Sequence, residues 1–439
     1  MRRSGGIGRR GIMAGAAGAL AAMLTGADAG AAASGRRPGG EAGGAGKPHG
    51  RRAGGGGGQA GDAETRGVWL ATVANRDWPS KPGLTADQQR AELLAHLDTA
   101  VERRLNTFVF QVRPTADALW PSSYEPWAQY LTGVPGKDPG WDPLGTAVTE
   151  AHRRGLELHA WFNPYRVATH TDPAKLAEGH PARLRPHWVL PYGGKLYYNP
   201  GLPEVRRFVQ DAMLDAVRRY DIDAVHFDDY FYPYPVAGQV FDDDAAYAEH
   251  GSGFPGRAAW RRNNIDLLVS EMSVRIKEIK PDVAFGISPF GVWRNADTDP
   301  LGSDTRAGVQ TYDDLYADTR RWVREGWIDH VVPQLYWNIG FAAADYAKLV
   351  PWWNDVVHGT GVTLRIGEAL YKAGATGQPA AWQDPAELSR HLTLAAEYEN
   401  VDGHVFFAAK EVMTDRIGAM ARVVADHYPA EVRARPRER

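Results

Sequence analysis

Across residues 66–428 the chain repeats one pattern eight times: a short run of β-branched and aromatic residues, then a longer stretch of helical periodicity. The eight runs fall at 66–73, 107–114, 157–166, 224–231, 284–290, 330–337, 363–372 and 403–410. Helical stretches are expected to start near Thr85, Asp142, Pro203, Arg257, Tyr312, Ala342, Asp384 and Thr414. Local chemistry agrees with several of these starts. Thr85-Ala86-Asp87-Gln88 has capping-box spacing, Pro203 suits a first helical turn, and Asp384 and Thr414 can serve as N-caps. Strict β–α alternation leads to a parallel sheet with helices outside it. Eight units predict an α/β protein built as a (β/α)8 TIM barrel; a doubly wound open sheet, the alternative, more often uses five to seven strands. Residues 66–428 make 363 positions, against about 250 for an ordinary barrel. The surplus follows strands two, three, four, five and seven, in the βα loops that build active sites in this fold.

The flanks have a different texture. Residues 1–61 carry nine Lys/Arg and two acids, a net of +7, so the total of −3 leaves −10 for residues 62–439. Residues 1–33 read as a signal peptide: Arg2, Arg3, Arg9 and Arg10 precede a weakly apolar stretch and then small residues at cleavage spacing. The Arg9-Arg10 pair is of twin-arginine type. The apolar stretch is too short for a membrane span. Residues 34–63 read as a Gly-rich flexible linker, 64–430 as the barrel domain and 431–439 as a charged tail. The expected location is therefore outside the cell or on its wall. No cysteine is present, which excludes disulfides, thiolate metal sites and a lipidated anchor. Near-neutral charge argues against nucleic acid as a partner. Oligomeric state is left open.

Side chains on a barrel strand alternate between lumen and helix layer. With Val225 and Phe227 on the helix side, His226 and Asp228 enter the lumen, and Asp228 comes last, at the catalytic end. The same rule sends Gln111, Arg113, Asn163, Ser288, Gln334, Tyr336, Glu368 and Lys410 inward. Such a ring of polar groups needs a reason, since buried polar atoms cost free energy unless paired. One reason is a hydrogen-bonded plug; the other is a site.

Elimination narrows the chemistry. No His-x-His or His-Glu-x-x-His pattern, Gly-x-Ser-x-Gly elbow, phosphate loop or dinucleotide fingerprint is found. No metal and no cofactor is therefore expected. Carboxylates among aromatics remain. Glycoside hydrolysis needs one protonated and one ionised carboxyl. Asp228 is the first choice for the ionised partner, with Arg113 or His226 stabilising its charge. Glu368 is the leading acid, and Asp229 and Glu125 compete with it. Candidate substrate-binding residues around them are Asp117, Trp127, Arg166, Asn199, Tyr230, Tyr232, Arg294, Trp337 and Tyr371, together with the inward-facing Arg113, Asn163, His226, Ser288, Gln334, Tyr336 and Lys410. Trp352-Trp353 reads as core packing, and Asp242-Asp243-Asp244 as a solvated helix start. A carbohydrate-binding protein without turnover, and a lyase or deacetylase, are the competing classes.

Several long segments stand in the order of a known family: RGVWLATV, FQVRPTADALWPSSYEPW, EAHRRGLELHAWFNPYRV, DAVHFDDYFYPY, FGISPFGVWRN and VVPQLYW. The chain resembles the bacterial glycosyl-hydrolase-like family 10 from about Arg66 to Tyr428. The resemblance implies a (β/α)8 barrel, an envelope or exported location, and a glycan substrate such as peptidoglycan strands stripped of their peptides. It places the strongest catalytic claim on Asp228 and Asp229, within HFDDYFYP.

Overall fold

The computed structural model describes residues 64–432. The expected signal peptide, the linker and all but the first two residues of the tail lie outside the described residues. Eight parallel strands close into a barrel: β1 (Thr65–Leu70), β2 (Thr107–Arg113), β3 (Glu157–Phe162), β7 (Ala224–Phe227), β8 (Ala284–Ile287), β9 (His330–Val331), β10 (Thr363–Glu368) and β11 (Val401–Phe407). The remaining three strands, β4 (Arg166–Ala168), β5 (Val189–Tyr192) and β6 (Lys195–Tyr198), make a small antiparallel sheet in the loop after β3. The open-sheet alternative is excluded, because β1 pairs with both β2 and β11.

Eight principal helices cover the barrel: α1 (Ala86–Glu102), α2 (Pro143–Arg153), α3 (Pro203–Arg219), α4 (Arg257–Ile279), α5 (Thr319–Arg324), α6 (Tyr346–Val357), α7 (Glu387–Ala395) and α8 (Ala419–His427). The Thr85 capping box forms in both directions. Asp142 caps α2, and Pro203 opens α3. Four later starts move. Tyr312 belongs to a separate turn, and α5 begins where Asp318 accepts from the Arg321 amide. Asp345, not Ala342, caps α6. Asp384 bonds the Ala386 amide one turn before α7, and Thr414 ends a short helix instead of starting α8. At α5 and α6 an aspartate with better cap geometry sets the boundary, and at α8 the positive-φ Gly418 does.

Two apolar cores follow from strand parity. The larger lies between strands and helices. The smaller fills the lumen with Trp69, Ala71, Val109, Trp161, Val332 and Val405. Strands buried on both faces need apolar residues at nearly every position, and all seven residues of β2 are buried. One glycine is forced by this packing: a Cβ on Gly286 would stand 1.9 Å from His330 Nε2. Trp353 is buried, as expected of core packing, and Trp352 lies stacked on Trp293. Asp243 departs from the solvated reading; it is buried and paired with Arg261. Among the described residues no helix is long and apolar enough to cross a membrane.

Candidate active site

The end of β7 delivers Asp228 and Asp229 as neighbours, and both are buried. The Asp228 carboxylate accepts from Trp161 Nε1 at 3.0 Å, from Asn163 Nδ2 at 3.0 and 3.2 Å, and from the Tyr230 amide at 3.1 Å. Asn163 cannot flip, because its Oδ1 accepts the Arg166 amide. Asp229 accepts from Gln334 Nε2 at 3.0 Å and from the Tyr234 hydroxyl. Burial and the charge of Asp229 push Asp228 up to about 7, and burial raises Asp229 as well. Each carboxyl therefore holds a proton more readily than an ordinary aspartate. Hydrogen-bond chemistry decides where it sits. All three partners of Asp228 are obligate donors, so a proton there would face N–H groups. The Tyr234 hydroxyl can turn and accept, which suits a protonated Asp229.

Aromatic rings border the pair. On one side Arg166 lies over Tyr230, which meets Tyr234; Tyr234 meets Phe290, and Phe290 meets Trp337. On the other side Tyr336, Tyr371 and Phe407 pack together, with Arg76 over Phe407. Most of these side chains are only partly buried, so apolar faces with polar edges meet solvent at the mouth.

Glu368 is elsewhere. The parity expectation fails on β10, where Leu364 and Ile366 pack in the outer core and Glu368 follows them outward. It accepts from Tyr346 Oη at 2.7 Å and pairs with His391 Nδ1 at 2.9 Å and His404 Nδ1 at 3.0 Å. Burial would raise its pKa, but the His391 charge and the two imidazole bonds outweigh it and hold the carboxyl at about 2. Burial alone would lower the His391 pKa; its two acidic neighbours, Glu368 and Glu387, raise it instead. A carboxylate caged in this way has no proton to give.

Comparison with known proteins gives the family. The family model described as "Glycosyl hydrolase-like 10" matches residues 64–384. The chain belongs to the glycosyl hydrolase-like 10 family. It is 51% identical over 369 residues to glycosyl hydrolase YngK of Bacillus subtilis (strain 168), covering 84% of this chain and 72% of that one. It is 42% identical over 362 residues to glycosyl hydrolase DigH of Escherichia coli (strain K12), covering 78% and 82%. The PgaB (BpsB) glycoside hydrolase domain from Bordetella bronchiseptica shares the fold at a TM-score of 0.54 and 12% identity, over 83% of this chain and 99% of that one. This member of the family is thus a glycosidase on a barrel.

Several other candidates in this family member have structural duties. Arg113 does not serve the aspartates; it makes a buried two-bond pair with Glu125 and also donates to the Asn163 and Pro164 carbonyls. That also occupies Glu125. The cation acting on the aspartates is Arg166, whose guanidinium is held by the Pro114 carbonyl. Asp117 bonds Thr115. With Trp127 it lines a cavity of about 20 Å³, room for a water but not a sugar ring. Asn199 bonds the Gly201 amide, and Tyr232 is buried against Phe241 and Tyr316. Arg294 is committed to Asp299 and Asp313. Lys410 is exposed on the short helix after β11, while Phe407 takes the inward position expected of that strand. Gln111 accepts from the Thr72 and Val73 amides.

His226 does enter the lumen, but burial lowers its pKa far below the usual value and leaves it neutral. It accepts from Trp69 Nε1 at 3.2 Å and meets Ser288 Oγ at 2.9 Å. With His159 and His330 it forms a group whose ligand atoms lie within 4.8 Å of one another. A metal there would need His226 Nδ1 as its ligand, and the Trp69 bond to Nε2 favours the tautomer that keeps a proton on Nδ1. Sequence reading missed Trp161, Tyr234, Arg76 and Phe407. Trp161 has the same parity as Asn163, and Tyr234 closes the aromatic run that contains Tyr230, so both had a signal.

Proposed function

We propose that this protein is an exported glycoside hydrolase that cleaves bacterial cell-wall glycan, peptidoglycan strands stripped of their peptides in particular. The observation that carries the reading is the buried neighbouring pair Asp228–Asp229 with two clusters of partly exposed aromatic rings about the barrel mouth. Asp229 supplies the proton to the leaving oxygen. Ionised Asp228 stands beside the positive charge that develops at the sugar's anomeric carbon. Aromatic faces stack on the C–H faces of the pyranose rings. The basic, weakly apolar N-terminus supports export, and the family relatives support action on a glycan.

The test is incubation of purified protein with intact and peptide-stripped peptidoglycan, with mass analysis of the released fragments. Soluble disaccharide-based products from the stripped strands are expected, with less from intact sacculi. Absence of cleavage in both, alongside cleavage of another polysaccharide, would overturn the substrate. Fractionation of cells producing the full chain should place the protein outside the membrane, and retention in the cytosol would overturn export.

A further inference from the structure

We propose that the nucleophile in this site is the substrate's own 2-acetamido group, so that the sugar whose anomeric carbon reacts must be a 2-acetamido-2-deoxy sugar. The inference rests on the glycosidase reading above and adds to it how the bond is broken.

Adjacency is the first observation. Asp228 and Asp229 follow one another at the end of a single strand, and Gln334 and Tyr234 hold Asp229 close beside it. Two carboxyls so placed approach a glycosidic bond from one side. A double displacement through a protein carboxylate needs its acid and its nucleophile about 5 Å apart across the bond.

The second observation is that the other buried carboxylates of the strand ends and their loops are engaged. Glu368 faces the helix layer. Glu125 is locked on Arg113, Asp77 and Glu411 on Arg76, and Asp243 on Arg261. Asp117 is tied to Thr115. Among the described residues, each of these carboxylates already has a bonded partner.

The third observation concerns Asp228 itself. An ionised carboxylate offers about four lone-pair sites. Three donor groups, Trp161, Asn163 and the Tyr230 amide, fix its plane. Asn163 reaches both oxygens from one nitrogen, so its longer bond, 3.2 Å, is the one that a further N–H can replace. An acetamide N–H fits there, where a sugar hydroxyl at C2 would offer no nucleophile.

The steps balance. Asp228 accepts the acetamide N–H and turns its carbonyl oxygen toward the anomeric carbon. That oxygen's lone pair forms a bond to C1 as the glycosidic electron pair leaves on the departing oxygen, which takes the proton of Asp229. The result is an oxazolinium ring, its positive charge beside Asp228. Water then attacks C1 and gives a proton to the Asp229 carboxylate. The C1–acyl oxygen bond breaks, and its pair restores the acetamide. One water is consumed, and two inversions retain the anomeric configuration.

The experiment uses the full chain and peptide-free glycan strands that are de-N-acetylated and then re-acylated with either acetic or trifluoroacetic anhydride. Fluorine withdraws electrons from the acyl oxygen and scarcely changes its size. The expected result is a kcat at least roughly 100-fold lower on the trifluoroacetyl strands, about 2.7 kcal/mol in the barrier, with KM changed less than about threefold. A thiazoline analogue of the oxazoline ring should inhibit competitively, and the first product seen by NMR should retain its anomeric configuration. Equal kcat on the two acylated strands, or an inverted product, overturns the proposal while leaving the glycosidase reading intact. Failure to cleave the re-acetylated strands overturns the glycan reading itself.

Discussion

Asp228 and Glu368 lie at the ends of strands three places apart in the same barrel, and each is buried. Burial pushes each carboxyl upward. At Asp228 the neighbour is another carboxyl, and the group rises to about 7. At Glu368 the neighbours are His391, His404 and a tyrosine hydroxyl, and the group falls to about 2. Burial is common to the two sites, so it cannot be what separates them; strand parity and the partners it provides do that. One carboxyl points into the lumen, bonded to Trp161. The other points between β10 and helices α6 and α7 and joins them. Burial raises Asp77 and Asp117 as well, so direction of shift and strand parity have to be read together.

The largest effect should come from removing the proposed acid. Asp229→Asn is expected to lower kcat by roughly 10³-fold, within the usual range for loss of a general acid. Its side-chain carbonyl can still accept from Gln334 and its amide can donate to the Tyr234 oxygen, so circular dichroism should show an unchanged fold. Full activity in this variant would end the contrast. Wild-type kcat should decline only as pH rises well above the ordinary aspartate range, because burial raises Asp229 and delays loss of its acid form. The stability sign runs the same way: carboxyls raised in the folded state carry no cost below their unfolded pKa and impose one as pH climbs through the folded value. Melting temperatures of wild type relative to Asp229→Asn should therefore fall as pH rises above the ordinary aspartate pKa.

Glu368→Gln should act on stability instead. A carboxyl lowered from 4.5 to about 2 corresponds to about 3 kcal/mol present above pH 4.5 and lost as pH falls to 2. Urea unfolding of the variant at pH 6 should show a loss of that order, and its acid-side stability slope should be shallower than wild type. His391, raised by Glu368 and Glu387 against burial, contributes below its unfolded pKa and loses that contribution as pH rises through its folded one. The folded fraction of Glu368→Gln should keep its kcat. A collapse of turnover without a loss of stability would assign Glu368 to the chemistry after all.

The barrel was legible because period-2 runs and helical stretches alternate so regularly, and because caps such as Thr85 and Asp142 act locally. Asp228 was legible for the same reason: Val225 and Phe227 fix which way β7 faces. Parity misled at Glu368, where Leu364 and Ile366 already point to the helix layer and place the glutamate with them. A structural pairing of Arg113 with Glu125 was one open alternative; spacing could not select it, because it joins a strand residue to a residue in the following loop. The same holds for Tyr232, whose neighbours Phe241 and Tyr316 come from other βα loops. Loop residues are positioned by contacts distant in sequence, so their roles emerge only in three dimensions.

The finest distinction between the two carboxyl sites lies in the single hydroxyl each one meets. Tyr346 donates to an anion at Glu368; Tyr234 must serve Asp229 in both of its protonation states. Burial and Asp229 raise the Tyr234 phenol well above its ordinary value, so it stays neutral throughout. Its bond favours the ionised form of Asp229, which eases proton release to the leaving oxygen. Tyr234→Phe removes that help and strands the acid form without an acceptor. It should lower kcat by about tenfold, or about 1.4 kcal/mol, and move the alkaline limb of the rate profile to higher pH. The matching change, Tyr346→Phe, should leave the pH profile in place and lower only the melting temperature. If both variants shift the rate profile alike, the two sites are coupled, and the separation between lumen and helix layer does not hold.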